Sequence, residues 1–203
     1  MRFRKAGPPA CLAIVAALAA TTAFAQTPTR LHGTIETVDG NTVMAKSDKG
    51  EALKLNLGDK TMVVGINKAT IADIKDGAYI GSGAMPQPDG SLKAVEVHIF
   101  AESMRGVGEG FKPWDGAPNS TMTNGTVGAT VTGVDGPIVT VTYRGGAKNI
   151  VIGPNVPIVR YEIGSVSDLK PGAAFAVAGA TKQPDGSFNI SRVNVGIGGV
   201  VPR

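Results

Sequence analysis

Residues 183–187 read QPDGS and repeat, letter for letter, residues 87–91, which lie 96 positions earlier. Two further stretches recur in the same order at almost the same spacing: VDG at 38–40 and 134–136, and DIKDG at 73–77 against DLKPG at 168–172. Matches that keep both order and spacing indicate an internal repeat. The sequence therefore predicts a duplicated unit of about 70 residues, which is within the usual size range of a small domain.

Each copy of this unit carries the signals of several short strands. Asp-Gly at 39–40 is typical of a hairpin turn. Leu53, Leu55 and Leu57 alternate with polar residues, which predicts a half-buried strand, and residues 139–143 repeat the alternation in the second copy. The two QPDGS turns each join the last two strands of a copy, so five strands are expected per unit.

A short helix is expected between the third and fourth strands of each copy. Residues 70–73 (TIAD) and 165–168 (SVSD) place Ser or Thr three positions before a carboxylate, which resembles a capping box with Asp in the acidic position. Gly77 and Gly172 follow and are suited to ending the helix. Each copy thus contains three strands, one short helix and two strands.

This order is that of a five-stranded OB-like barrel. We therefore expect an all-β protein with one short helix per repeat, built as two tandem OB-like barrels in residues 30–100 and 122–203. A single larger sandwich, in which the two copies share sheets, is the alternative. The long segment 101–121 between the copies favours separate barrels.

The N-terminus predicts export. Basic residues within 2–5 precede the apolar run 10–20, and the small-x-small sequence AFA follows at 23–25. This is the pattern of a secretory signal peptide, residues 1–25, cleaved after Ala25. A membrane anchor would need about 20 apolar residues. We expect a periplasmic protein that does not span the membrane.

Charge and cysteine content limit the possible partners. The only cysteine, Cys11, lies within the expected signal peptide, so the mature protein has no disulfide or thiolate metal site. The whole chain has 20 basic and 16 acidic residues, and removing Arg2, Arg4 and Lys5 leaves 17 against 16. Binding to a nucleic-acid backbone requires a dense basic face. No nucleic-acid partner is expected.

The motifs resemble a known family. GTIETVDGN at 33–41, with the repeated QPDGS turns, resembles an OB-like family of unknown function that occurs in exported bacterial proteins. HIFAESMRGVGEG at 98–110, followed by PWD at 113–115, is similar to a narrower proteobacterial group often labelled as metal ABC transporter permeases. The resemblance implies the fold and the compartment. A permease needs several spanning helices, which this sequence lacks, so the label implies at most an association with metal.

Segment 101–121 is the strongest candidate for a functional surface. It contains Phe111 and Trp114, the latter being the only tryptophan of the chain, whereas a simple linker has few large apolar groups. The two aromatic residues either plug the groove between the barrels or, with Arg105 and Asp115, form one wall of a ligand site. Glycines in the stretch RGVGEG would let the backbone approach a ligand.

A metal site is a second candidate. His98 is followed closely by Glu102, Met104 and Glu109. Histidine with methionine suits copper in an oxidising compartment, whereas carboxylates suit harder ions. Only one histidine is present in the set, and no ligand pair has the fixed spacing of a zinc motif.

The sequence contains no nucleophile elbow, Ser-x-x-Lys, Walker-type or zinc-protease motif. We therefore expect an exported, non-catalytic binding or accessory protein whose partner is a small ligand or another envelope protein. The alternatives are a periplasmic metal-binding protein using residues 98–122 and a structural envelope protein. No cofactor is expected other than that metal ion.

Overall fold

A computed structural model describes residues 28–202 of the chain, and the expected signal peptide, residues 1–25, lies outside this range. Within it the strands are β1 Thr29–Asp39, β2 Thr42–Ser47, β3 Ala52–Ala69, β4 Tyr79–Pro86, β5 Leu92–Phe100, β6 Gly110–Trp114, β7 Ser120–Gly133, β8 Gly136–Tyr143, β9 Gly146–Val151, β10 Ile158–Ile163, β11 Ala174–Lys182 and β12 Phe188–Gly196. Single 3-10 turns occur at Ile71–Asp73, Glu102–Met104 and Val166–Asp168. No helix among the described residues has the length and apolar character needed to cross a membrane. The protein is nearly all-β, as expected.

Five strands close into a barrel in the order β1-β2-β3-β12-β11. The neighbours are antiparallel except for β3 and β12, which run parallel with Phe188 opposite Leu55. Leu53, Leu55 and Leu57 point into this barrel and are each at most 6 % exposed. The alternation in the sequence therefore predicted the buried face of β3 correctly.

A second set of five strands follows the same order, β7-β8-β9-β5-β4. Here β9 and β5 are the parallel neighbours, with Leu92 opposite Ile150 and Lys93 opposite Val151. The remaining neighbours are antiparallel. Val139 and Val141 are fully buried in the core of this set.

The tandem arrangement expected from the sequence is not confirmed, because each strand set mixes the two copies. The barrel takes β11 and β12 from the second copy, and the second set takes β4 and β5 from the first. Residues 30–100 therefore do not complete a barrel alone, and neither do residues 122–203. The cause is that β3 continues for 18 residues without a turn. Such a strand is about 60 Å long, and it places the start of β4 in the other set.

The two sets are joined through β3 and β10. The second half of β3 pairs antiparallel with β10, with Ile66 opposite Tyr161, and β10 pairs parallel with β5. Ile66 and Tyr161 are 95 positions apart, the spacing that relates the two copies. An approximate twofold axis therefore passes between these two residues, and all strands belong to one hydrogen-bonded sheet.

The expected capping boxes are confirmed. The Thr70 backbone N–H donates to Asp73 Oδ2 at 2.8 Å, and the Ser165 N–H donates to Asp168 Oδ2 at 2.8 Å. Each box begins a single 3-10 turn rather than a longer helix. The turns connect β3 to β4 and β10 to β11.

Segment 101–121 is regular rather than an irregular loop. It begins with the 3-10 turn Glu102–Met104 and continues into β6. This strand pairs antiparallel with β7, with Lys112 opposite Met122. The segment therefore adds a strand to the sheet beside the second set.

Gly33→Ala tests how closely β1 approaches β2 in the barrel. A Cβ at this position would lie 2.0 Å from the backbone carbonyl oxygen of Lys46, and a Cβ at the equivalent Gly125 would lie 2.3 Å from that of Thr142. Because backbone atoms cannot move aside cheaply, we expect Gly33→Ala to lower the free energy of unfolding by about 1–3 kcal/mol. Chemical denaturation measures this change. Gly179→Ala is the control, since its nearest neighbour is 3.7 Å away; equal loss in both variants would contradict the close approach at Gly33.

Candidate ligand-binding cleft

A cleft of about 610 Å³ opens where the barrel meets the second strand set. Its polar lining includes Arg30, His98, Lys112, Asn124, Arg192 and Asn194. Its apolar wall includes Phe100, Trp114, Met122, Tyr161, Ala176 and Ala178. This volume is within the range of small-molecule sites, which combine an apolar wall with a few polar groups.

The strand register brings these residues to one face of the sheet. His98 on β5 lies opposite Gly81 on β4, and Gly81 lies opposite Asn124 on β7. Directly opposed residues project to the same side of a sheet. Asn194 on β12 is the repeat equivalent of His98, 96 positions later. The cleft therefore straddles the approximate twofold axis.

Glu96, His98 and Tyr161 form a buried polar cluster on the second-set side. Glu96 is 5 % exposed, and its Oε1 lies 2.5 Å from His98 Nε2. The His98 ring stacks on Tyr161 with 4.7 Å between centroids. Burial raises the pKa of Tyr161 well above its usual value, and the Glu96 charge raises it further. Tyr161 is therefore a neutral phenol at physiological pH.

Arg192 occupies the position on β12 that Glu96 occupies on β5, 96 residues earlier. Its Nε donates to Asn194 Oδ1 at 3.1 Å. Burial lowers the pKa of Arg192, with Tyr161 acting in the opposite direction. Arginine nevertheless stays protonated in proteins, so the cleft contains a half-buried positive charge.

Trp114 lines the cleft and is half-buried. A Cβ at Gly83 would lie 2.4 Å from the six-membered ring of its indole, and a Cβ at Gly116 would lie 2.2 Å from it. The indole therefore packs directly against backbone on β4 and in its own segment. Trp114 both packs between elements and lines the cleft, so the two interpretations of this residue are compatible.

Asn124 is 7 % exposed and lies in the cleft wall. Its Nδ2 donates to the carbonyl oxygen of Val107 at 3.1 Å. Its Oδ1 is buried and has no hydrogen-bond partner among the described residues. A buried acceptor without a partner costs about 1–3 kcal/mol. The atom packs against β4, because a Cβ at Gly81 would lie 2.5 Å from it.

Two ion pairs involve the connecting segment. Asp115 pairs with Arg30 on β1 of the barrel. Arg105 binds Glu102 through Nη2 and Oε2 at 2.7 Å, and its Nη2 also donates to the Gly77 carbonyl oxygen at 2.9 Å. The segment is thereby attached both to the barrel and to the start of β4.

The ligand candidates from the sequence separate into two groups. Trp114 and Asp115 line the cleft. Arg105 is engaged by Glu102, outside the cleft lining. Phe111 is 40 % exposed and lies under Lys148, whose Nζ is 4.5 Å from the ring centroid, again outside the lining.

The metal candidates do not converge. His98 pairs with Glu96, and Met104 is buried in the core between the strand sets. Glu102 binds Arg105, and Glu109 Oε1 accepts the backbone N–H of Arg144 at 2.8 Å. Among the described residues no three His, Cys, Asp or Glu side chains are grouped as a metal site would require. Metal binding at His98 stays a prediction.

Sequence reasoning missed the part of the cleft that lies outside residues 98–122. Asn124 lies in the second copy, and Arg192 and Asn194 lie on its last strand, all outside the segment 98–122 that contained the candidates. The signal that could have found the last two is the repeat itself, because Glu-Val-His at 96–98 becomes Arg-Val-Asn at 192–194. A change of charge between repeat-equivalent positions marks a place where the two copies have diverged.

No protein-family model, curated protein or solved structure matches this chain.

Gly83→Ala tests the packing of Trp114. A Cβ 2.4 Å from the indole forces the ring to move, so we expect a loss of about 1–3 kcal/mol in the free energy of unfolding. Because Trp114 is the only tryptophan, its emission reports its environment directly and should shift to longer wavelength. Gly58→Ala, with 3.9 Å to its nearest neighbour, should change neither quantity. Unchanged emission in Gly83→Ala would contradict the contact.

Proposed function

We propose that this protein is an exported, non-catalytic binding protein that takes a small ligand in the cleft between its two strand sets. The observation that carries the proposal is the cleft itself, about 610 Å³ in volume. Its wall contains the half-buried charge of Arg192, which has no carboxylate within 4.0 Å among the described residues. A charge is costly to take out of water without a counter-charge, and a ligand that contacts the guanidinium would offset that cost.

The composition of the cleft supports binding rather than catalysis. No Ser, Thr or Cys side chain is part of the cleft lining in residues 28–202, so the usual nucleophiles of acyl transfer are missing there. His98 Nε2 lies 2.5 Å from Glu96 Oε1, and the imidazole ring stacks on Tyr161. These contacts hold the ring in place as part of the wall.

We further propose that both strand sets are OB-like barrels that have exchanged their last two strands. The supporting observation is that they share one strand order and one parallel neighbour pair, β3 with β12 and β9 with β5. Each copy also has a capped 3-10 turn directly before its last two strands. OB barrels are binding scaffolds in which loops and one barrel face contact the ligand.

The expected signal peptide supports a role outside the cytoplasm, since residues 1–25 would direct export and then be removed. The ligand would accordingly be one present in the periplasm.

Blocking the cleft tests the proposal. Ala178 is exposed in the cleft wall, so Ala178→Phe should fill the site while leaving the barrel core intact. We expect ligands that raise the melting temperature of the wild type, in a screen of small metabolites by thermal shift, to lose at least tenfold in affinity in this variant. Ala147→Phe is the matched control because Ala147 is exposed on β9 and absent from the cleft lining.

A purely structural role makes the opposite prediction. In that case no metabolite stabilises the wild type, and Ala178→Phe and Ala147→Phe behave alike. Ligands that bind both variants with wild-type affinity would move the site away from the cleft.

A further inference from the structure

Arg192 is set apart from the other described arginines by what surrounds its charge. Arg30, Arg105 and Arg160 each form an ion pair with a carboxylate. Arg144 forms none in residues 28–202 but is exposed at a hairpin turn, where water solvates it. Arg192 is half-buried and has no carboxylate within 4.0 Å among the described residues.

The acidic groups near the cleft are already engaged. Asp115 is paired with Arg30, and Glu96 lies 2.5 Å from His98. The hydrogen bond of Arg192 is to the neutral amide of Asn194. No carboxylate among the described residues therefore balances the guanidinium charge of Arg192. Taking such a charge out of water is costly.

A second positive group lies at the rim of the same cleft. Lys112 is exposed, and its Nζ is 3.4 Å from the point where a Cβ of Gly108 would be. Asn124 Nδ2 lies 2.9 Å from the same point, so the ammonium group is close to the cleft wall. Lys112 forms no ion pair with a described residue. Two cations without carboxylate partners thus face one cavity.

The apolar part of the cleft lining favours organic anions over inorganic ones. Phe100, Trp114, Met122 and Ala176 present apolar surface to the cleft. An inorganic ion would leave this surface exposed to water, whereas an organic anion would cover it and gain hydrophobic free energy. A guanidinium can also bind a carboxylate through two parallel hydrogen bonds.

We propose that the cleft selects small organic acids, whose carboxylate pairs with Arg192 while the apolar body lies against Trp114 and Met122. The proposal rests on the proposed function and names the ligand class of the same site. Lys112 attracts the anion from solution, and the binding therefore weakens as ionic strength rises.

Shape-matched probes of different charge test this on the wild-type protein. Phenylacetate and phenylacetamide are compared by isothermal titration calorimetry, together with hexanoate and hexanamide. We expect each acid to bind at least tenfold more tightly than its amide, a difference of about 1.4 kcal/mol. We also expect the affinity for the acids to fall on addition of salt. Amides that bind as tightly as the acids would overturn the proposal while leaving ligand binding in the cleft intact.

Arg192→Met tests the assignment to this residue. The variant keeps the length of the side chain and removes the charge, so the preference for acid over amide should disappear. Arg144→Met is the control and should retain the preference. Because removing a desolvated charge relieves a cost, Arg192→Met should melt at or above the wild-type temperature. A retained preference in Arg192→Met would overturn the assignment, and failure of every acid to bind at millimolar concentration would overturn the ligand class.

Discussion

The antiparallel ladder between the second half of β3 and β10 is the contact on which the rest of the structure depends. It brings Ile66 opposite Tyr161 and so fixes the approximate twofold axis. From this ladder, β3 continues into the barrel and β10 pairs with β5 of the second set. If β3 ended in a turn at Gly58, the last two strands of each copy could pair with the first three strands of the same copy. The two strand sets would then share no surface. The exchange of strands therefore creates the surface that becomes the cleft.

The approximate twofold symmetry places the two copies on either side of the cleft. Differences in sequence between the copies determine which charges line it. The pair Glu96 and Arg192 carries opposite charges at equivalent positions, 96 residues apart. On one side Glu96 Oε1 lies 2.5 Å from His98 Nε2, whereas on the other the guanidinium has only the neutral Asn194. A symmetric cleft with two internally satisfied walls would have little reason to bind a polar ligand. The asymmetry leaves Arg192 as the wall charge without a carboxylate partner among the described residues.

The connecting segment completes the cleft because it is held at both ends. Asp115 is paired with the barrel through Arg30, and Arg105 with Glu102 and the Gly77 carbonyl oxygen. Between these anchors β6 pairs with β7, which positions Trp114 against Gly83. The glycine is needed there because any side chain would occupy the space of the indole.

Local features could be predicted from the sequence, and long-range ones could not. The strands, the turns and the capping boxes depend on residues close together in the chain, as with Leu53 to Leu57 or Thr70 with Asp73. The sequence left open whether the two copies share sheets, and it does not decide between the arrangements, because β11 and β12 present the same buried face to either copy's first three strands. Trp114 and His98 are identifiable from the sequence because tryptophan and histidine are rare in this chain, and Asp115 because it follows Trp114. Asn124 and Arg192 are common residue types, and only the fold shows that they are buried beside the cleft. Phe111 and Arg105 were attributed to the ligand site from their proximity in sequence, but their neighbours in space are Lys148 and Glu102.

A pair of engineered cysteines tests the exchange most directly. Asn56 on β3 lies opposite Asn189 on β12, with Nδ2 and Oδ1 3.1 Å apart, so cysteines at both positions can form a disulfide. Lys93 is the residue of the first copy that corresponds to Asn189, 96 positions earlier, and it would be the neighbour of Asn56 if each copy closed on itself. In protein produced from Gln26 onward, which lacks Cys11, mild oxidation is followed by mass spectrometry of the linked peptides. The account predicts an intramolecular disulfide in N56C/N189C and none in N56C/K93C. A disulfide in N56C/K93C with none in N56C/N189C would contradict it.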